Sequence, residues 1–313
     1  MGLKIIIVLF LGGINCSFAQ QDAEQGSHFT NYDQKVITSL YYFDMSNSFL
    51  FNYTEEGIKN FLELIPNKRE QIGINVSYKS IDVSYGFSPT FFAENKDNND
   101  SKLFTLSTRF YYKKWMQSVS FINQKGFYVS NDEVEVSFPR LRTTKIGGTT
   151  SYIFNENFSF RTLANQKEWQ SKSAGSFIPT FSVYYTNFDL NDGGNSSKSD
   201  VFFVSLAPSY FYNFVINNHF LLSGGLSLGS GFNSVDGDFS LIHEWSASAK
   251  IGYNSDTFFT FINLNYIDFI QDSEAQIQLN DEISTIKITA GYRFDPPKKV
   301  KQVYDKTAEK IGL

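Results

Sequence analysis

The feature that most constrains this chain is an alternation of apolar and polar residues with period two, repeated along most of its length. In Gln71–Lys79, Ile72, Ile74, Val76 and Tyr78 alternate with Gly73, Asn75, Ser77 and Lys79. Directly after it, Ile81, Val83, Tyr85 and Phe87 alternate with Asp82, Ser84, Gly86 and Ser88. Successive side chains of a strand point to opposite faces, so each run presents one greasy face and one polar face. The same unit recurs at Leu103–Tyr112 with Trp115–Asn123, Leu141–Phe154 with Phe158–Gln166, and Val201–Phe214 with Phe220–Gly231. It appears again at Leu241–Asn254 with Phe258–Phe269, and in the closing run, where Ile286, Ile288, Ala290, Tyr292 and Phe294 share one face.

Two solvents could meet such strands: a second sheet, or lipid outside and water within. The N-terminus favours the second. Lys4, the apolar run Ile5–Leu11 and the small-residue site ending at Ala19 have the layout of a secretory signal, too short to span a bilayer. Cys16, the sole cysteine, falls inside it, and Asn15 stands where a lipoprotein signal wants a small residue. The mature chain is then free of cysteine, which excludes a disulfide-stapled scaffold. With 33 Phe and 18 Tyr, the composition suits strands. A net charge of −5 argues against nucleic-acid binding, which needs a basic face. The expected fold is all-β: an antiparallel up-and-down transmembrane β-barrel of 12–14 strands with a short C-terminal periplasmic tail. Residues 1–19 are the signal peptide, 20–33 a flexible leader, 34–294 the barrel, and 295–313 a tail that is disordered or a short helix.

Twelve strands are firm. Two weaker ones are Lys35–Phe43 and Ser46–Tyr53. In Glu55–Ile65, Ile58, Phe61, Leu62 and Ile65 fit one face of a short helix that Pro66 would end. Short turns at Lys79-Ser80, Lys113-Lys114, Asn155–Asn157, Asn217-Asn218 and Asn254–Asp256 are bracketed by aromatic rings. Such rings gather at membrane boundaries, so these turns should share one girdle on the periplasmic side. The longer connectors Ala93–Ser101 and Leu190–Asp200 would face outward.

Several motifs in order resemble uncharacterised outer-membrane β-barrel proteins of Gram-negative bacteria, a family catalogued only as a domain of unknown function. They are Ile65-Pro66-Asn67 followed by GINVSYK, the Tyr112-Lys113-Lys114 turn, Lys125–Tyr128, Leu141–Thr144, Tyr152–Arg161, EWQSKSAGSF from Glu168, Gly252–Asn254, and Tyr292–Phe294. The resemblance runs from about Lys35 to Phe294 and implies fold and location, with no activity to carry over. This chain departs from the family at Ser171, where a second lysine is usual, and at Pro208–Phe211, where a more Gly-rich strand is usual.

Chemistry is harder to find. Ester-hydrolysing barrels use a Ser or Thr nucleophile with His and a carboxylate. Of three histidines, His28 lies in the leader, His219 at a turn, and His243 on the face of Trp245, toward lipid or the outer rim. There is no GxSxG elbow and no metal-ligand spacing. The expectation is a non-enzymatic barrel, structural or narrow-pored, without a cofactor. A solute channel is the alternative, and a lipid-modifying enzyme a more distant one. Outer-membrane lipid, assembly machinery reading the last strand, and a periplasmic partner for the tail are the expected contacts.

The interior face collects Lys79, Asp82, Arg109, Lys145, Arg161, Glu244, Lys250, Lys287 and Arg293. Lys167, Glu168, Trp169 and Lys172 in the stretch Gln166–Phe177 complete the candidate lumen or plug residues. Parity singles out that stretch. An even number of crossings must separate the turn at Glu156 from that at Asn217, yet three strands are readable: Phe158–Gln166, Ser176–Asn187 and Val201–Phe214. An inward fold of Lys167–Gly175, its charges meeting Arg161, would resolve the mismatch.

Overall fold

A computed structural model describes residues 28–311 apart from 56–57, 68–69, 80, 88, 90–101, 131–134, 165–166, 191–196, 218 and 273–276. The signal peptide and the connector Ala93–Ser101 lie outside the described residues. Ten strands close an antiparallel ring. In ring order they are β2 (Val36–Glu55), β3 (Ile58–Pro66), β7 (Trp115–Ser130), β8 (Glu135–Tyr152), β11 (Thr180–Asp189), β12 (Lys198–Ala207), β14 (Phe220–Val235), β15 (Asp238–Asn254), β16 (Phe258–Asp272) and β17 (Ile277–Phe294). β17 closes on β2 along its whole length, Ile277 to Phe294 against Tyr53 to Val36. We call the end carrying Val36 and Phe294 the base, and the other end the crown.

At the base the wall is broader. β4 (Gln71–Tyr78) continues the descent of β3 and takes over pairing with the lower part of β2. β5 (Ile81–Phe87) pairs with β4, and β6 (Lys102–Tyr112) with the lower part of β7. Two half-height strands are thus wedged between β4 and β7. This is why twelve runs alternate while ten strands close the ring, against the expected 12–14. The two weak strands from Lys35 to Tyr53 are one, β2. The helix expected in Glu55–Ile65 is strand β3: its inward Leu64 joins a crown cluster with Phe49 and Phe127, so both faces carry apolar residues and the alternation is lost.

Two strands are bent by proline. β10 (Ala174–Phe177) leads through Ile178-Pro179 into β11, and β12 leads through Pro208 into β13 (Ser209–Ile216). Proline has no N–H to give a ladder. Here the carbonyls of Pro179 and Pro208 still accept from Tyr152 and Leu228, while Ile178 and Ser209 exchange backbone bonds between the two bends. The turns expected together do lie together, all at the base; Lys79, Lys113 and Asn217 occupy them with positive φ, as tight hairpins require.

The molecule is inside out relative to a soluble domain. Leu226, Leu228, Ile286, Ile288 and Tyr292 are exposed on the outer face, whereas Arg293, Lys145, Lys250 and Asn213 are at most 2% exposed. No described helix is long and apolar enough to cross a membrane; the crossing elements are strands. After β17 the chain forms α2 (Lys298–Ile311), whose Tyr304 packs edge-on against Tyr78. On the outer face, Leu226→Lys should cost ~2–4 kcal/mol and Phe239→Lys, at the crown hairpin, ~0–1 kcal/mol, by urea unfolding in lipid vesicles. Equal costs would mean that the outer face does not sit in lipid.

Candidate functional site: the filled lumen

The chain leaves β8 at Tyr152 and does not re-enter the wall until Ala174. The described part of the expected strand Phe158–Gln166 turns inward instead, into α1 (Arg161–Ala164), and β9 (Glu168–Gln170) follows it inside the barrel. Only two crossings then separate the turns at Glu156 and Asn217, and the parity closes. β9 pairs with β1 (Phe29–Asn31), so residues 28–33, expected as the end of a flexible leader, are tied in by three ladder positions. Backbone bonds from Tyr32 to Lys167 and from Ser171 to His28 complete the tie.

Polar groups anchor this plug from within. The Glu168 carboxylate accepts from Arg161 Nη1 at 2.9 Å and from Ser159 Oγ at 2.5 Å. Burial is the largest influence on Glu168 and raises its pKa above the ordinary carboxylate value, with the Arg161 charge opposing. Gln170, fully buried, donates to the carbonyls of His28, Asn157 and Lys172 and accepts from Ser159 N and Asn213 Nδ2.

The wall grips the plug from many sides. Asn213 on β13 donates to the Ser159 carbonyl at 3.1 Å and is itself held by Ser223 on β14. Lys250 on β15 donates to the Thr162 carbonyl. Arg161 stacks over Tyr111 on β6 at 4.7 Å, and Arg293 on β17 stacks over Tyr32 at 3.9 Å. Trp169 is buried with Ile37, Leu221, Phe259 and Phe261, from β2, β14 and β16. Lys167 donates to the Lys79 carbonyl at 2.7 Å.

A second closure, which the sequence reading did not foresee, lies toward the crown. Phe49, Phe127 and Phe188 point inward from β2, β7 and β11, with Phe49 edge-on to Phe188 at 4.8 Å. Phe203 and Phe269 meet at 4.3 Å beside Tyr184. Beneath these rings Lys145 is paired with Asp281, which also accepts from Asn47 at 2.8 Å. The cavity here has a volume of only about 20 Å³. The signal was available: near the crown the greasy residues change faces, Phe269 inward beside Asp268 outward.

The candidate residues therefore separate into groups. Lys145, Glu244, Lys250 and Arg293 are buried inside, Glu244 accepting from Ser205. Lys287 is half-buried over the Tyr41 ring at 4.4 Å. Arg161, Lys167, Glu168 and Trp169 build the plug. Arg109 and Lys172 are exposed. Lys79 is not a lumen residue: its ammonium bonds Asp305 of α2 at 3.0 Å, which raises its pKa, and lies over Tyr304. The Asp82 side chain lies outside the described residues. Among the described residues no His, Cys, Asp and Glu group could hold a metal.

One contact on the outer face was missed because its members sit on three strands. Ser230 Oγ lies 3.1 Å from His243 Nδ1, and His243 Nε2 lies 4.0 Å from Asp272 Oδ2.

Because Glu168 is buried, removing Arg161 alone should be costly. Arg161→Ala should destabilise the folded protein by ~3–5 kcal/mol, and Arg161→Ala with Glu168→Gln by distinctly less. Urea unfolding followed at Trp169 reads both. Additive costs would mean that the pair does not hold the plug.

Residues 22–294 match the family described as Domain of unknown function (DUF4421). No curated protein matches the chain. Among solved structures, the β domain of the Bordetella autotransporter BrkA is 8% identical, covering 83% of this chain and 99% of its own, with a TM-score of 0.36. OmpT expressed in the outer membrane of Vibrio cholerae is 10% identical over 82% and 98%, with a TM-score of 0.33. An outer-membrane channel from Pseudomonas putida F1 is 11% identical over 87% and 100%, with a TM-score of 0.33. At these scores nothing about activity follows from the likenesses. The chain belongs to the family described as Domain of unknown function (DUF4421).

Proposed function

We propose that this protein is an outer-membrane barrel whose lumen is held shut, so that it serves as a structural or surface-acting element rather than a solute pore. The observation that carries this reading is the plug described over residues 155–164 and 167–173, gripped by wall residues of β2, β6, β13, β14, β15 and β16. The crown ring of Phe49, Phe188, Phe203 and Phe269 supports it as a second barrier in series. A continuous water path would need both to move. The signal peptide over residues 1–19 would deliver the chain, and the closing strand β17 would be read by the assembly machinery. The tail helix leaves Val300 and Val303 exposed, a face suited to a periplasmic partner.

Single-channel recording tests the closed lumen. Purified protein in a planar bilayer should give no steady conductance. Phe49→Ala/Phe203→Ala/Phe269→Ala should stay silent because the plug remains, and adding Arg161→Ala and Trp169→Ala should open a path. Steady ohmic current through the wild type would sink the reading and favour a narrow channel.

A second reading rests on Ser230, His243 and Asp272. These three face outward among the exposed Leu228 and Phe232, so an ester-hydrolysing site would meet lipid directly. His243 would take the Ser230 proton as the hydroxyl attacks an acyl ester, return it to the leaving alcohol, and water would then release the acid. The refolded protein would release fatty acid from dispersed phospholipid, and Ser230→Ala and His243→Asn would each abolish release. No release by the wild type above an empty-vesicle control dismisses this reading.

A further inference from the structure

With the lumen closed, the outer wall is where the molecule can meet ligands, and one sector of it is unlike the rest. Lys102, Lys125 and Arg142 are Cα partners across β6, β7 and β8 and so form one row. Their neighbours Leu103, Gln124, Leu141 and Thr143 face the interior side of the wall, which places the three cations on the outer face. Arg140 sits beside them, exposed, in the irregular stretch before Arg142. The row continues through Asp189 on β11 to Lys198 on β12. Among the described residues, none of these side chains reaches a carboxylate within ion-pair distance. Like charges directly opposite on adjacent strands destabilise a sheet. A row of three that no described carboxylate pairs offers a place for an anion.

The height of the row says where that anion lies. Each cation stands about ten residues along its strand from a ring of the base girdle: Lys102 from Tyr112, Lys125 from Trp115, Arg142 from Tyr152. At about 3.3 Å per residue and the usual tilt, that is roughly 25 Å along the barrel axis, the height of a membrane barrel's apolar band. Between girdle and cations the outer face is greasy: Phe104, Leu106, Phe110 and Ile146 are exposed, with Phe104 edge-on to Phe121 at 6.0 Å. The polar outer residues in this sector satisfy one another, Asn123 with Thr144 and Gln117 with Thr150, both at 2.8 Å. The sector is a greasy ladder topped at the far membrane boundary by adjacent cations.

We propose that the outer face of β6–β8 binds a multiply phosphorylated glycolipid of the outer leaflet. Its acyl chains lie along Phe104, Leu106, Phe121 and Ile146, and its phosphates bridge Lys102, Lys125, Arg140 and Arg142. Guanidinium and ammonium groups are the natural partners of phosphate oxygens. Adjacent strands are about 4.8 Å apart, so the row spans about 10 Å. That width suits a head group carrying more than one phosphate better than a single phosphodiester. The proposal rests on the outer-membrane reading above.

The full chain, folded in detergent and checked by heat-dependent gel mobility, is titrated with bis-phosphorylated lipid A, with the same lipid dephosphorylated, and with phosphatidylglycerol. Native mass spectrometry counts bound lipid. Wild type should prefer bis-phosphorylated lipid A at least tenfold over either of the others. Lys102→Gln/Lys125→Gln/Arg142→Gln should lose at least tenfold of that affinity, and Lys298→Gln/Lys299→Gln/Lys301→Gln in α2 none of it. Should the triple variant fail the mobility check, Arg142→Gln alone should still lose at least threefold. Unchanged affinity in the folded wall variants, or equal binding of phosphatidylglycerol, overturns the proposal. A wild type that fails the mobility check and fractionates as soluble protein overturns the membrane reading beneath it instead.

Discussion

Everything in this structure follows from the requirement that a backbone in lipid satisfy its own hydrogen bonds. No water is available within the apolar band, so every N–H and C=O of the wall must find another strand, and an open edge is untenable there. Closure of β17 on β2 over eighteen residue pairs meets that demand for the ten-strand ring, while β5 and β6 at the base each pair along one edge only among the described residues. Once the wall is closed by its backbone, side chains are released from holding it together. They sort by solvent: greasy outward, polar or bulky inward. Fully buried lysines and arginines, which would be anomalies in a soluble core, become the ordinary filling of a small barrel.

Filling is where the chain does something particular. Ten strands enclose too little space for a broad channel, and what remains is taken by two different materials. At the base, an excursion of the chain itself supplies a backbone carbonyl to the wall cation Lys250, and its own Arg161 and Glu168 neutralise each other. At the crown, aromatic rings from five strands meet above the Lys145–Asp281 pair. The polar plug is specific, since Glu168, Gln170 and the carbonyls of Ser159 and Thr162 each have a named partner. The ring cluster is less directional and seals by shape. Lys145 links the two styles, a buried cation neutralised below rings that exclude water.

The sequence reveals the wall well and the filling poorly, for a physical reason. Lipid imposes a strict period of two, so inward and outward faces of the lower part of β8 and of β14 to β17 are readable residue by residue. That is how Lys145, Glu244, Lys250, Lys287 and Arg293 could be placed inside. Where lipid no longer dictates, near the crown, the period loses its meaning. Ile58, Phe61, Leu62 and Ile65 then mimic a helix, and the inward Phe49, Phe188, Phe203 and Phe269 pass unnoticed. The plug announced itself only through arithmetic: one crossing too many between Glu156 and Asn217. Its internal bonds, Gln170 to three carbonyls and β9 to β1, depend on partners distant in sequence, which no local pattern encodes. Lys79 misled because alternation continues into a turn residue, whose side chain is free to reach α2.

The half-height strands β5 and β6 broaden the wall at the base only, β5 pairing with β4 and β6 with β7, with no ladder between β5 and β6 among the described residues. The base therefore carries more wall than the ten strands that close the ring. A body of that shape displaces more lipid area from one leaflet than from the other. Set in a flat bilayer, it loads the two leaflets unequally, and the mismatch is relieved where the membrane bends away from the broad end. Position in the membrane plane thus acquires an energy that depends on local curvature, from nothing more than two short strands inserted on one side of the wall.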